Sequence, residues 1–372
     1  MKHKLLKTFF NSLYHFFSLF YKSKEKKVVF CSNRSQTLSG NLTNLKNEFE
    51  QDKTFKIKVQ TFNFKRNLIG RFIYFFQSVQ SMYELATADL FIIDDYFLPI
   101  YFVDNKLERN KVVQVWHAIG HLKKYGLSIE KNRQSMIKHH SNYDFVVANA
   151  PGDVPAILSS FDITEDKVHV LGAPRLDDLV KQPVRQQTNE KENIFMYAPT
   201  YRDATNEDSV YHYIDNLIKK FIEFASKSED YLYISLHPYL KIEKIDTYGA
   251  NNINIFKDGN KSSKLLGEID VLITDYSSIA FDFAYLKKPV IYYHYAKDYH
   301  FDLEESYFDY KTMGFGEVVD NHEELIDLIM EYVENECEMK DQYIKRVDDF
   351  FEFNDKNNCK RVYDAIKKMD YD

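Results

Sequence analysis

Twelve short apolar runs, most of them followed by a stretch of helical period, constrain this chain more than any other feature of its sequence. The first six are "KVVFCS" (27 to 32), "FKIKVQTF" (55 to 62), "DLFIIDD" (89 to 95), "KVVQVWH" (111 to 117), "DFVVAN" (144 to 149) and "KVHVLG" (167 to 172). A polar stretch, "VKQPVRQQTNEKEN" (180 to 193), interrupts the series, which resumes with "IFMYAP", "YLYISLHP", "NINIFK", "VLITDY", "PVIYYH" and "GEVVD". Mostly unbroken runs of Val, Ile, Leu and Phe are strands buried on both faces, and strands that alternate with helices build parallel sheets. The expectation is an α/β protein of two Rossmann-like domains, 27–185 and 186–372, and the 372 residues suffice for two cores. The charged tail from about 321, helical in period, is expected to pack across both domains.

Ahead of the first strand stands "MKHKLLKTFFNSLYHFFSLFYKSKEKK". Leu6, Phe9, Phe10, Leu13, Phe17 and Phe20 recur at helical spacing, and lysines cluster at both ends. Residues 1–26 are therefore expected to form an amphipathic basic helix. With Lys7, Asn11, Ser12 and His15 within it, the segment lacks the ~20 predominantly apolar residues of a membrane span. Its aromatic face and terminal lysines suit the surface of an anionic membrane, which places the protein peripherally at the cytoplasmic face. The competing reading packs the helix on the protein's own surface or on a partner.

The formal charge of −7 argues against a nucleic-acid-coating protein. Cys31, Cys337 and Cys359 are odd in number and unpaired in spacing, so neither a disulfide framework nor a zinc cluster is expected. Only 11 glycines are present, with no G-x-G-x-x-G after the first strand and no Walker A sequence. Dinucleotide redox enzymes and P-loop kinases are poor fits. A nucleotide-activated donor held by two similar domains, the GT-B organisation, remains.

Polar side chains gather where an open parallel sheet binds ligands, at the C-terminal ends of strands. One strand delivers "WHAIGHLKKYG", with His117, His121 and Lys123, and another delivers "GAPRLDDL", with Arg175. In the second series "FMYAPTYRD" supplies Thr200 and Arg202, "YISLHPYLK" supplies His237, and "TDYSS" supplies Asp275, Ser277 and Ser278. Serines before a helix either cap its free N–H groups or leave them to an anion. Asp94-Asp95 is not a D-x-D pair, so no dedicated metal site is expected, although a loosely bound magnesium is compatible with the sequence.

Taken in order, "LSGN" (38 to 41), "VWHAIGHLKKYG", "LGAPRLD", "YAPTYR", "SLHP", "TDYSSIAFDF" and "FNDKNNCKRV" (353 to 362) resemble the CDP-glycerol glycerophosphotransferase family, the teichoic-acid primases and polymerases. The resemblance covers roughly residues 28 to 365. It departs at Ala118, where a glycine usually follows "WH". It implies a GT-B transferase that moves glycerol phosphate from CDP-glycerol to a hydroxyl of a lipid-linked acceptor and releases CMP, without a cofactor. Under it His117 is the base, while Arg202, Thr200, Asp275, Ser277 and Ser278 surround the donor's CDP diphosphate, and His237 assists the leaving group. His121, Lys123 and Arg175 are acceptor-binding or structural. The chain lacks the extra helical region of longer polymerases, which leans the expectation toward a primase. A CDP-ribitol enzyme, or a non-catalytic nucleotide-binding scaffold of a polymer-assembling complex, are the alternatives.

Overall fold

The computed structural model describes all residues except 1, 23, 25, 35, 63–66, 123, 136, 182–191, 201–206, 238–239, 258–261, 263, 295–306 and 370–372. All twelve apolar runs are strands: β1 Lys26–Ser32, β2 Phe55–Thr61, β3 Leu90–Ile93, β4 Lys111–Gln114, β5 Phe145–Ala148, β6 Val168–Val170, β7 Ile194–Ala198, β8 Tyr231–Ser235, β9 Ile253–Phe256, β10 Val271–Thr274, β11 Val290–Tyr293 and β12 Gly316–Val319. They form two parallel six-stranded sheets, ordered β2-β1-β3-β4-β5-β6 and β12-β11-β10-β7-β8-β9.

In the first sheet neighbouring residues of one strand serve opposite layers, as the period of two demands. Val29, Cys31, Phe91 and Ile93 face a core shared with helices α1 (Lys2–Ser18) and α3 (Leu68–Ala86). Val28, Phe30, Leu90 and Ile92 face the core under helix α2 (Asn41–Gln51) and the last helix, Asn358–Lys367. Strand β2 lies at the sheet edge and alternates, with Lys56 and Lys58 exposed, a pattern that discourages further strand addition.

The chain divides into two compact units, residues 1–177 with 352–372, and residues 178–351. The second unit thus stops at Phe351, short of the C terminus expected for it, and the last helix belongs to the first unit. The reason is a lock between two sequence motifs. Gly172 of "LGAPRLD" sits at φ 79°, and a Cβ there would come within 2.0 Å of Asn358 Oδ1. The Asp177 carboxylate accepts from the backbone N–H groups of Asn358 (3.0 Å) and Cys359 (2.8 Å), so it caps the final helix from 181 residues away. Tyr363 Oη and Lys367 Nζ then donate to Asp52, beyond α2.

Helix α1 forms, but most of the face assigned to a membrane is turned inward. Phe10 (2% exposed) and Tyr14 (0%) are core residues, and Leu6, Leu13 and Phe17 pack against that core. The Phe10 ring stacks on Phe102 at 5.3 Å, and Tyr14 Oη donates to Asn110 at 3.2 Å. Of the six residues read as the membrane face, only Phe9 and Phe20 are exposed. Sequence periodicity finds the stripe but not which body covers it.

Candidate active site

In an open parallel sheet, ligands bind beyond the strand ends where the strand order reverses. In the first unit β1 has β2 on one side and β3 on the other, so the reversal falls between β1 and β3. In the second unit, taken from β7 as first strand, the order is 3-2-1-4-5-6 and the reversal falls between β7 and β10. Both points are bridged in the same manner. Ser32 Oγ at the end of β1 donates to Asp94 Oδ1 after β3 (3.0 Å). After β7, Thr200 donates through its backbone N–H (2.9 Å) and its Oγ1 (2.8 Å) to the two carboxylate oxygens of Asp275, after β10.

His117 leaves the end of β4 through a turn that is braced at every residue. Trp116 holds a left-handed φ of 41°, unusual for a side chain of its size. Its N–H donates to the Gln114 side chain (2.9 Å), and Asn41 Nδ2 donates to the carbonyls of Val115 and Trp116. Arg175 Nη1 donates to the carbonyl of His117 (3.0 Å), while the Arg175 N–H donates to Asn41 Oδ1 (2.9 Å). The "LSGN" motif thereby acquires a physical meaning: Gly40 takes φ 52° at the entry to α2, and Asn41 is the clasp on the histidine turn.

The His117 ring is oriented by one contact, its Nδ1 lying 3.0 Å from the Asp94 carbonyl oxygen. A carbonyl only accepts, so the neutral ring carries its proton on Nδ1 and leaves Nε2 as an acceptor. Asp95 Oδ1 is 3.8 Å from the same nitrogen, near enough to steady a positive ring. Burial, reinforced by the Arg34 guanidinium, pulls the His117 pKa down to about 4, with Asp95 pulling the other way. Arg34 also lies 3.7 Å from Asp95 and 4.0 Å from Asp94, whose own pKa burial raises to about 6. His117 is thus a neutral acceptor at physiological pH.

His121 shares the loop but turns inward. It is buried, stacks on Tyr125 at 5.3 Å, lies 3.8 Å from Asp153, and has its pKa lowered to about 4 by burial. The bonds of Arg175 serve the His117 turn. Asp275 is fully buried and accepts from Thr200 and from the Tyr276 N–H (2.7 Å). Ser277 and Ser278 are half-buried at the start of the helix Ile279–Tyr285, and the Ser278 side chain makes no cap bond. His237 follows β8, the strand beside β7, with a pKa lowered by burial. Lys123 and Arg202 lie outside the described residues. The first unit therefore gathers His117 and Arg175 at one strand end, and the second gathers Thr200, Asp275, Ser277 and Ser278 at one switch point, with His237 on the adjoining strand. Arg34, Asn41, Asp94 and Asp95 were not assigned to the site from sequence. Their signal was position alone, at the ends of β1 and β3 and the start of α2. Among the described residues no group of three His, Cys, Asp or Glu side chains is arranged to hold a metal.

The profile of the family described as CDP-glycerol:poly(glycerophosphate) glycerophosphotransferase matches residues 13–368. The minor teichoic acid biosynthesis protein GgaB of Bacillus subtilis is 32% identical over 300 residues, covering 76% of this chain. The chain spans only 32% of the length of GgaB. The teichoic acid ribitol-phosphate primase of Bacillus spizizenii is 29% identical over 84% of this chain and 83% of its own length. In fold the chain is similar to the wall teichoic acid polymerase TagF, with a TM-score of 0.72 at 19% identity over 99% of this chain and 98% of that one.

Proposed function

The chain belongs to the CDP-glycerol:poly(glycerophosphate) glycerophosphotransferase family, and on that premise we propose that it transfers glycerol phosphate from CDP-glycerol to a hydroxyl of a lipid-linked teichoic-acid or capsule acceptor. We read its two units as the halves of a GT-B transferase, acting in a primase-like manner. The observation that carries the reading is the contact of His117 Nδ1 with the Asp94 carbonyl oxygen at 3.0 Å, which leaves Nε2 without a proton. That Nε2 takes the acceptor's hydroxyl proton as the oxygen attacks the glycerol-bearing phosphorus. The bond from that phosphorus to the bridging oxygen breaks, and CMP departs with the electron pair. A ring that is neutral in the resting state costs nothing to prepare, and Asp95 steadies the charge once the proton arrives. The charge on the departing phosphate calls for cations and N–H donors, the roles this reading gives to Arg202, His237 and the Ser277-Ser278 turn. Thr200 is positioned there by Asp275.

The protein works as a peripheral protein at the cytoplasmic face of the membrane, where the lipid-linked acceptor is found. Among the described residues no helix is long and apolar enough to cross a bilayer. CDP-ribitol is the second reading of the donor, favoured by the likeness to a ribitol-phosphate primase along most of the chain. Incubation with CDP-glycerol or CDP-ribitol and a synthetic lipid-linked disaccharide, followed by mass spectrometry, identifies donor, acceptor and number of units together. Folded protein that binds nucleotide but releases no CMP with any acceptor would make it a scaffold.

A further inference from the structure

Seventeen large apolar side chains are exposed among the described residues, and twelve of them lie in just two segments, 5–20 and 68–83. On α3 the most exposed follow one helical stripe: Leu68 (82%), Ile69 (71%), Phe72 (65%), Ile73 and Phe76. Positions i, i+1, i+4, i+5 and i+8 line one face of a helix. The opposite side of α3 is the buried one, with Ser78, Ser81, Met82 and Leu85 turned to the core. On α1 the residues left outside are Leu5, Phe9 and Phe16, with Leu19 and Phe20 just beyond the helix. Phe9 stacks on Phe75 at 5.9 Å, so the two exposed strips join into one apolar surface. A soluble protein keeps such patches to a few hundred Å², and the larger ones mark binding faces.

The two segments themselves carry charge of one sign. Residues 2–24 and 67–83 contain no Asp or Glu, whereas Lys4, Lys22, Lys24 and Arg71 are exposed there. We propose that α3, supported by the outer edge of α1, is the element that enters an anionic lipid bilayer, with its apolar stripe among the headgroups and these four cations on the lipid phosphates. The proposal rests on the reading that the protein acts at a membrane, and it moves the contact from the first helix to the third. Aromatic and branched side chains that enter the interface supply the apolar part of the binding, and each nearby cation adds attraction to anionic lipid. Burial of Phe10 and Tyr14 explains why α1 cannot present its own strongest face.

The test is co-sedimentation of the full chain with vesicles of phosphatidylglycerol and phosphatidylcholine, and with phosphatidylcholine alone. The triple variant Ile69→Ser/Phe72→Ser/Phe76→Ser removes only exposed groups, so its melting temperature should match the parent's. It should partition at least about tenfold more weakly. Arg71→Glu should weaken binding to the anionic vesicles only, and raising salt from ~0.1 M to ~1 M should do the same, because it shortens the screening length from about 10 Å to about 3 Å. A triple variant that sediments like the parent overturns the proposal. So does a parent that dimerises without lipid and loses dimerisation in the variant, since the stripe would then be covered by a second copy. Turnover on a water-soluble acceptor separates this result from the functional reading. Lost vesicle binding with retained soluble turnover upholds both, and vesicle binding without any CMP release leaves the surface standing while the transfer reading falls.

Discussion

Replacing Phe10 by Ala should destabilise the first unit and leave the second untouched. The ring is buried to 2% exposure, stacks on Phe102 at 5.3 Å and meets Phe75 edge-on at 5.9 Å. Emptying such a site costs about 3–5 kcal/mol, the lost transfer energy together with the cavity left behind. With a urea dependence of about 2 kcal/mol per molar for a unit of this size, the unfolding midpoint should fall by about 1.5–2.5 M. Phe9→Ala is the matched control, one residue away and 44% exposed, and should stay within about 0.5 kcal/mol of the parent. The assay is built into the molecule: Trp116, the single tryptophan, lies in the first unit, so its fluorescence follows that unit alone. A Phe10→Ala midpoint within about 0.3 M of the parent's would mean that α1 is not part of the core. The assignment of the membrane contact to α3 would lose its reason.

Three further outcomes are expected. His117→Ala should lower turnover by about 10²-fold or more while CDP-glycerol affinity, read by calorimetry, changes little; equal loss of both would reassign the residue to donor binding. Because a base works only when deprotonated, a pKa lowered from 6.5 to about 4 keeps His117 competent as pH falls. The acid limb of kcat/KM should therefore lie well below 6.5 and nearer 4, and a limb at 6.5 would refute the role or the environment assigned to the ring. Asp275→Ala strands the N–H and hydroxyl of Thr200 at a buried strand end and should cost the second unit about 2–3 kcal/mol, measured by urea unfolding followed by far-UV circular dichroism.

The strands were legible because apolar runs such as "LFII" and "VLIT" record local burial on both faces, and a buried strand needs no distant information to be recognised. His117 was legible from its motif. Its environment was not, since Asn41, Asp94 and Arg175 reach it from 76, 23 and 58 residues away. The spacing of Asp94 and Asp95 speaks only to metal binding, and the contacts they make with His117, through a main-chain carbonyl and a carboxylate 3.8 Å away, leave no spacing to read. The helix faces were the hardest. In "LIGRFIYFFQSVQSMYELA" apolar residues occur almost all round, a pattern that reads as a buried helix, and only the packing of Ser81, Met82 and Leu85 against the sheet reveals that the Leu68–Phe76 stripe faces out. For α1 the same ambiguity ran the other way.

The lock of Asp177 and Gly172 on the last helix has a kinetic consequence for synthesis. Residues 178–351, a complete unit, are translated between the two pieces that the lock joins. At ~5–20 residues per second the ribosome spends roughly 10 to 35 s on them. During that interval the second unit can fold as an uninterrupted chain, whereas the first waits with the α2 side of its sheet uncovered, Phe49 and Val28 among the residues exposed there. Truncating the chain before Asn358 would therefore injure the half of the protein that is made first.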